Sequence, residues 1–217
     1  MLLNTDIKFF RTIASFIGIG CIYSSLSYAQ EINCSQPDDS SSIKTLCSSN
    51  FEQQRQKLQN QYVTAFLISD APLRLLEDTH QLWFKRIQQC KTSSCFNQQF
   101  ELRTDDLNFY TSLNQSLTQH YLKFENGKIA KNPVHLQIHQ LSKDNIKIEG
   151  LAYRNPNNKK ETQTISFLAY TTTDKKQNIV DNEHDCNYQF DYSRAILTIK
   201  TQQKGCERFT GVYRLYD

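Results

Sequence analysis

The sequence predicts an α+β protein. A disulfide-stapled N-terminal three-helix domain is expected first, then a C-terminal antiparallel β meander that curls into a small barrel or sandwich. Three observations predict this. Residues from about 34 to 124 carry apolar side chains at spacings of three and four, the helical period. Residues from about 134 to 217 alternate with period two. The cysteines outside the N-terminal leader are six, an even set that suits pairing.

The leader reads "MLLNTDIKFFRTIASFIGIGCIYSSLSYAQ". Lys8 and Arg11 make a basic start, Thr12 to Tyr23 is apolar or small, and Ser27-Tyr28-Ala29 places small residues at −3 and −1 of a cleavage site. That is the pattern of a secretory signal over residues 1–29, cut before Gln30. The apolar run is shorter than the roughly 20 residues a membrane span needs. Lipid anchoring at Cys21 is the lesser expectation, because Gly18 stands where a lipobox wants Leu. Loss of the leader removes Cys21 and leaves Cys34, Cys47, Cys90, Cys95, Cys186 and Cys206. An exported, periplasmic chain whose thiols all pair is the consistent reading.

Removing Lys8, Arg11 and Asp6 takes one positive charge off the +3 of the full chain. So small a bias argues against nucleic acid, which needs a concentrated basic face. No second long apolar stretch exists, so no transmembrane domain is expected. The expected organisation is a helical domain over 30–125, a linker over 126–133 ("NGKIAKNP") and a β domain over 134–217.

In the helical part, Ser49-Asn50-Phe51-Glu52 fits a capping box, with Phe51, Leu58, Tyr62 and Phe66 on one side of the helix that follows. Asp70-Ala71-Pro72 opens a second helix, whose stripe is Leu73, Leu76, His80, Trp83, Ile87 and Cys90. A third follows Ser93-Ser94, with Phe96, Phe100, Arg103, Leu107, Tyr110, Asn114, Leu117, Tyr121 and Phe124 as a sustained seam. Arg103 on that seam reads as a paired structural charge, with Glu77, Asp78 or a helix end as its partner. Six strands follow in "VHLQIHQL", "NIKIEGLAY", "TISFLAYT", "CNYQFDY", "AILTIKT" and "RFTGVYRLY", separated by turn-rich breaks.

Chemistry is sparse. His135 and His139 are four apart on a strand, where they read as a solvated face, since zinc needs three or four ligands. His184-Asp185-Cys186 reads as a polar loop. No GxSxG, HExxH or P-loop pattern occurs, so the chain is not expected to be an enzyme and no cofactor is implied. Cys186 and Cys206 flank a hairpin and are expected to bond. Cys34, Cys47, Cys90 and Cys95 allow three pairings, which the sequence leaves open.

The order of these landmarks carries a resemblance. Cys34 precedes Cys47 by about a dozen residues. Leu58 and Tyr62 follow on one helix, then Gln81, Trp83 and Cys90 on the next. Cys95, Phe100, Arg103 and Leu107 open the third. Residues 33–110 thereby resemble the LprI-like lysozyme inhibitor N-terminal domain family of exported bacterial proteins. Two departures stand out: Arg55 where the family often has Asp, and Arg86 three rather than four residues after the Trp. The resemblance implies a periplasmic or envelope protein that inhibits lysozyme by binding it. The alternative is a non-inhibitory binding module with another secreted or envelope partner, for which the tyrosines of the β half (Tyr153, Tyr170, Tyr188, Tyr192, Tyr213, Tyr216) offer an aromatic surface. An inhibitor of a carboxylate-lined cleft needs a basic loop. The loops around Lys159-Lys160 and Lys175-Lys176 are the candidates.

Overall fold

The computed structural model describes residues 32, 34–35, 40–112, 117–158 and 162–216. The leader, Cys21, Asn114, Lys159 and Lys160 lie outside the described residues. Among those described, four helices come first: α1 (Ser41–Leu46), α2 (Glu52–Ile68), α3 (Leu73–Ile87) and α4 (Ser93–Ser112). Nine strands follow: β1 (Thr118–Glu125), β2 (Lys128–Ile129), β3 (Val134–Gln140), β4 (Asn145–Tyr153), β5 (Thr164–Thr172), β6 (Asn178–Asp181), β7 (Cys186–Ser193), β8 (Ile196–Lys200) and β9 (Gly211–Tyr216).

The helices follow the apolar stripes with local changes. α3 buries Leu76, His80, Trp83 and Ile87, with Cys90 buried just beyond its end. Leu73 is exposed, because the helix starts there after Pro72 and Leu75 takes the inward place. α4 buries Phe96, Phe100, Arg103, Leu107 and Tyr110. α2 buries Leu58 and Ala65 and leaves Phe66 exposed. The capping box does not form: Ser49–Phe51 is a 3-10 turn with no side-chain cap. Arg55 instead donates from Nη1 to the carbonyls of Leu46 and, at 2.9 Å, Ser48. A guanidinium at this position thus satisfies carbonyls that the end of α1 leaves without intrahelical partners. The short α1 was not expected; it buries Ile43 and Leu46.

The largest correction concerns 118–125. The third helix ends at Ser112, and Tyr121 and Phe124 lie on a strand. "TQHYLKFE" also alternates with period two, and its neighbours decide between the two periods. Tyr121 pairs with Leu136 on one side and Leu215 on the other. β1 is thereby the joint of the sheet. The order is β5-β4-β3-β1-β9-β8-β7-β6, antiparallel throughout, with β2 added to β1. β3–β5 form one meander and β6–β9 another, and β1 links them. The 126–133 stretch holds a tight turn, with Asn126 and Gly127 both at positive φ, and then β2.

The two edges approach and nearly close a barrel. Asn182 N donates to Leu168 O at 2.7 Å, and Leu168 N donates to Asp181 Oδ1 at 3.1 Å. Asp181 is fully buried and also accepts from Glu183 N, while its Oδ2 contacts His184 Nδ1 at 2.9 Å. One carboxylate therefore supplies the hydrogen bonds that a full β5–β6 ladder would otherwise make.

Cys34 bonds Cys47, Cys90 bonds Cys95 and Cys186 bonds Cys206. The pairing in the helical half is therefore local. The first bond ties the N-terminal strap to the end of α1, and the second closes the α3–α4 turn. The third spans the β7–β8 hairpin, a loop of a size whose closure is worth about 3 kcal/mol. Three disulfides suit a non-cytoplasmic, oxidising compartment. No helix among the described residues is long and apolar enough to cross a membrane.

Two cores result. The barrel interior holds Leu136, Phe167, Phe190, Phe209 and Tyr213. The second core lies between the helices and the outer face of the sheet, and takes Leu122 and Tyr216 from it. β1 and β3 therefore lie between two packed layers and are buried on both faces. This overturns the solvated-face reading of His135 and His139: both are buried, because the helical layer covers the face they occupy. Gly150 sits opposite Leu136 in the β3–β4 pair. A Cβ there would collide with Leu136 Cδ2, 3.2 Å from Phe167 Cβ and 3.3 Å from the His135 carbonyl. Gly150→Ala is expected to cost about 1–3 kcal/mol by overpacking. Urea unfolding checks it; a loss below about 0.5 kcal/mol would mean that Leu136 swings aside freely.

Candidate functional site

The polar groups concentrate where α3 and α4 meet the outer face of β1, β3 and β4. Arg103 is 1% exposed. Its Nη1 donates to Thr79 Oγ1 at 3.1 Å and to Asp106 Oδ2 at 3.3 Å, and Nη2 donates to Leu76 O at 3.2 Å. Its partner is thus Asp106, one turn along the same helix, not Glu77 or Asp78. Asp78 is engaged elsewhere, accepting from the Tyr216 hydroxyl at 2.7 Å. Burial pushes the Asp106 carboxyl up, and Arg103 and the Tyr153 hydroxyl hold it down through charge and hydrogen bonds. The Tyr153 phenol is itself pushed up, by burial first and then by the Asp106 charge.

Arg86 is the second buried guanidinium, 7% exposed. Nε donates to Gln99 Oε1 at 3.3 Å, Nη1 donates to Arg154 O at 2.9 Å, and the guanidinium lies 4.5 Å over the Tyr153 ring. Burial lowers its pKa to about 10, opposed by the Tyr153 phenol and reinforced by Arg208. Gln99 and Trp83 hold the frame: Trp83 Nε1 donates to Gln99 O at 2.8 Å, and Gln99 Nε2 reaches Gln163 Oε1 at 3.5 Å. Gln163 in turn donates to Pro156 O and Asn158 O, which fixes the β4–β5 connection against the helices.

Beside this cluster stand the histidines. His120 Nδ1 and His135 Nε2 are 3.2 Å apart with rings stacked, and Tyr110 meets His120 edge-on. Burial drives the His120 pKa down to about 3, and that of His135 well below its usual value. His139 contacts Thr118 Oγ1 at 3.0 Å and Glu149 Oε2 at 3.1 Å. No group of three metal-ligating side chains occurs among the described residues.

A cleft of about 410 Å³ opens between α4 and the outer face of β4 and β5. The strand register builds its floor in rows: His135, Leu151 and Ser166 in one, Gln137, Glu149 and Leu168 in the next. Leu102 and Phe109 add apolar surface, and Asp105, Asp106, Glu149 and Glu183 supply carboxylates. Among the described residues no Lys or Arg lines it. Arg103 offsets Asp106 from below, and Lys147 Nζ lies 2.7 Å from Glu149. Asp105 and Glu183, both exposed, have no ion pair among the described residues.

The sequence-derived residues scatter relative to this site. Trp83, Phe100, Arg103 and Leu107 lie in the α3–α4 core with Leu58, while Tyr62 and Gln81 are half-buried. Lys175 and Lys176 are exposed in the β5–β6 turn, with Lys176 Nζ 5.3 Å over the Tyr192 ring. Lys159 and Lys160 belong to the β4–β5 connection and lie outside the described residues. The aromatic surface does not form either: Tyr188, Tyr213 and Tyr216 are buried, Tyr153 and Tyr192 are half-buried, and only Tyr170 of the six is exposed.

Sequence reasoning gives no site role to Asp105, Asp106, His120, Glu149 or Glu183, marks Arg86 only as a departure from the family spacing, and offers Tyr153 only as part of an aromatic surface. Asp106 was readable as the i+3 partner of Arg103. The cleft residues were not, since strand register brings them together. Comparison with protein-family models, with curated proteins and with solved structures finds no match for this chain.

Proposed function

We propose that this chain is an exported envelope protein that works by binding a basic partner protein at the α4–β4–β5 cleft. Lysozyme is the partner class that the resemblance in residues 33–110 names. The observation behind this reading is the cleft itself, about 410 Å³, walled by four carboxylates with no Lys or Arg among the described residues of its lining. Common lysozymes are basic, and two carboxylates with no ion pair among the described residues, beside Phe109, Leu151 and Leu168, suit a Lys or Arg side chain from such a partner. The role is binding rather than catalysis.

A non-inhibitory module is the second reading. It is favoured by Lys176, whose Nζ lies 5.3 Å over the Tyr192 ring, so that one of the two lysines the β5–β6 turn would offer a lysozyme cleft is already engaged. Both readings share one experiment. The purified, oxidised protein is expected to bind lysozyme at micromolar concentration, with affinity falling as salt rises. Asp105→Asn with Glu183→Gln is expected to weaken binding several-fold without changing the unfolding midpoint, since both side chains are exposed. Binding without loss of muramidase activity on cell walls selects the non-inhibitory module. Absence of binding to every lysozyme type tested removes lysozyme as the partner. Unweakened binding by the double variant removes the cleft.

A further inference from the structure

We propose that the small cavity between Arg86 and Arg103 is a binding site for a monovalent anion of chloride's size. The cavity has about 20 Å³ of free volume and is lined by Trp83, Arg86, Gln99, Arg103, Asp106 and Tyr153 among others. About 10–15 Å³ suffices for one water, so the space takes a single small species and excludes sulfate or phosphate.

The charge count points to an anion. Two guanidiniums are more than nine-tenths buried here, and among the described residues Asp106 is the one carboxylate on the cavity wall. Asp106 is engaged by Arg103. The partners of Arg86 among the described residues are all neutral: the Gln99 amide oxygen, the Arg154 carbonyl and the Tyr153 ring. Arg208 adds a further positive charge to its surroundings, and burial keeps the His135 imidazole neutral. The cluster therefore carries one positive charge more than it neutralises. Burying an unpaired charge is costly, and native proteins pair such charges.

The donors are also in place. Arg86 Nη2 and Arg103 Nε are both buried and have no acceptor among the described residues. A water can accept these hydrogen bonds but leaves the charge. A halide accepts them and balances it. The Arg86 guanidinium is anchored through its other two nitrogens, so this donor is held for the ligand rather than free to turn.

Thermal unfolding of the purified, oxidised protein in sodium chloride and in sodium gluconate, at equal sodium, tests the site. Gluconate is too large to enter. At chloride tenfold above half-saturation, Tm is expected to stand roughly 3–5 °C higher than in gluconate. Arg86→Met is expected to lose this difference, and the exposed control Arg74→Gln to keep it. Crystals soaked in bromide are expected to show an anomalous peak in hydrogen-bond reach of Arg86 Nη2, a readout that stands even where Arg86→Met fails to fold. Equal Tm in the two salts, or a water without bromide in the cavity, overturns the proposal.

Discussion

Acidification from pH 7 to pH 4.5 is expected to cost this protein about 5 kcal/mol of folding stability, through two histidines alone. His80 lies between the Tyr62 and Trp83 rings, with centroids 4.5 and 5.0 Å away, and burial followed by the Arg103 charge lowers its pKa to about 3. His120 is fully buried against His135 and Tyr110, and burial followed by His139 lowers it to about 3 as well. Unfolded, each titrates near 6.5. Between pH 6.5 and about 3 the unfolded chain therefore binds more protons than the native one, and stability falls as pH falls. The slope is about 1.4 kcal/mol per pH unit per histidine. His135 shifts in the same direction and steepens the loss. Asp106 opposes it, since its raised carboxyl binds a proton more readily in the native state. A typical domain has only about 5–15 kcal/mol of stability, so this loss takes about a third of it or more. Urea titrations at the two pH values measure the difference, and a change below about 1 kcal/mol would sink the argument. His80→Phe should remove one proton's worth of slope.

These histidines also show where the sequence stops being readable. Period-two alternation placed β3, β4, β5, β7, β8 and β9, because a half-buried strand has one apolar face. β3 and β1 break that rule. Both are covered twice, and their second face mixes His120, His135 and His139 with Leu122. Period alone marks such a face as solvent. β1 had a further ambiguity, since Leu117, Tyr121 and Phe124 continue the spacing of α4. Nothing within eight residues shows that Tyr121 will pair with both Leu136 and Leu215. The α3 and α4 stripes were legible for the opposite reason, as each has one buried face over several turns. The cleft and the cavity depend on side chains from α3, α4, β3, β4 and β5 meeting across long sequence separations. Of their residues, Arg103 alone was marked beforehand as a charge in need of a partner.

That partner sets the second large effect. Arg103→Met is expected to cost about 3–5 kcal/mol at neutral pH, because it leaves the mostly buried Asp106 carboxylate without its cation. It also removes the donors to Thr79 Oγ1 and Leu76 O. Asp106 already has a raised pKa with Arg103 present, so it rises further in the variant. The deficit relative to the parent should then shrink as pH falls, since a protonated Asp106 needs no cation. Arg103 also helps to keep His80 neutral, so its loss raises the His80 pKa and reduces the acid sensitivity described above. The double variant Arg103→Met with Asp106→Leu should recover much of the loss, as apolar replacements of whole buried pairs do. Arg86→Met provides the contrast. It strands no carboxylate, so its cost should be the smaller and should not track Asp106 protonation. Denaturant midpoints for the four chains from pH 5 to 8 separate these outcomes. If the Arg103 and Arg86 variants lose equal stability with the same pH dependence, the Arg103–Asp106 pair is not what holds α4 against α3.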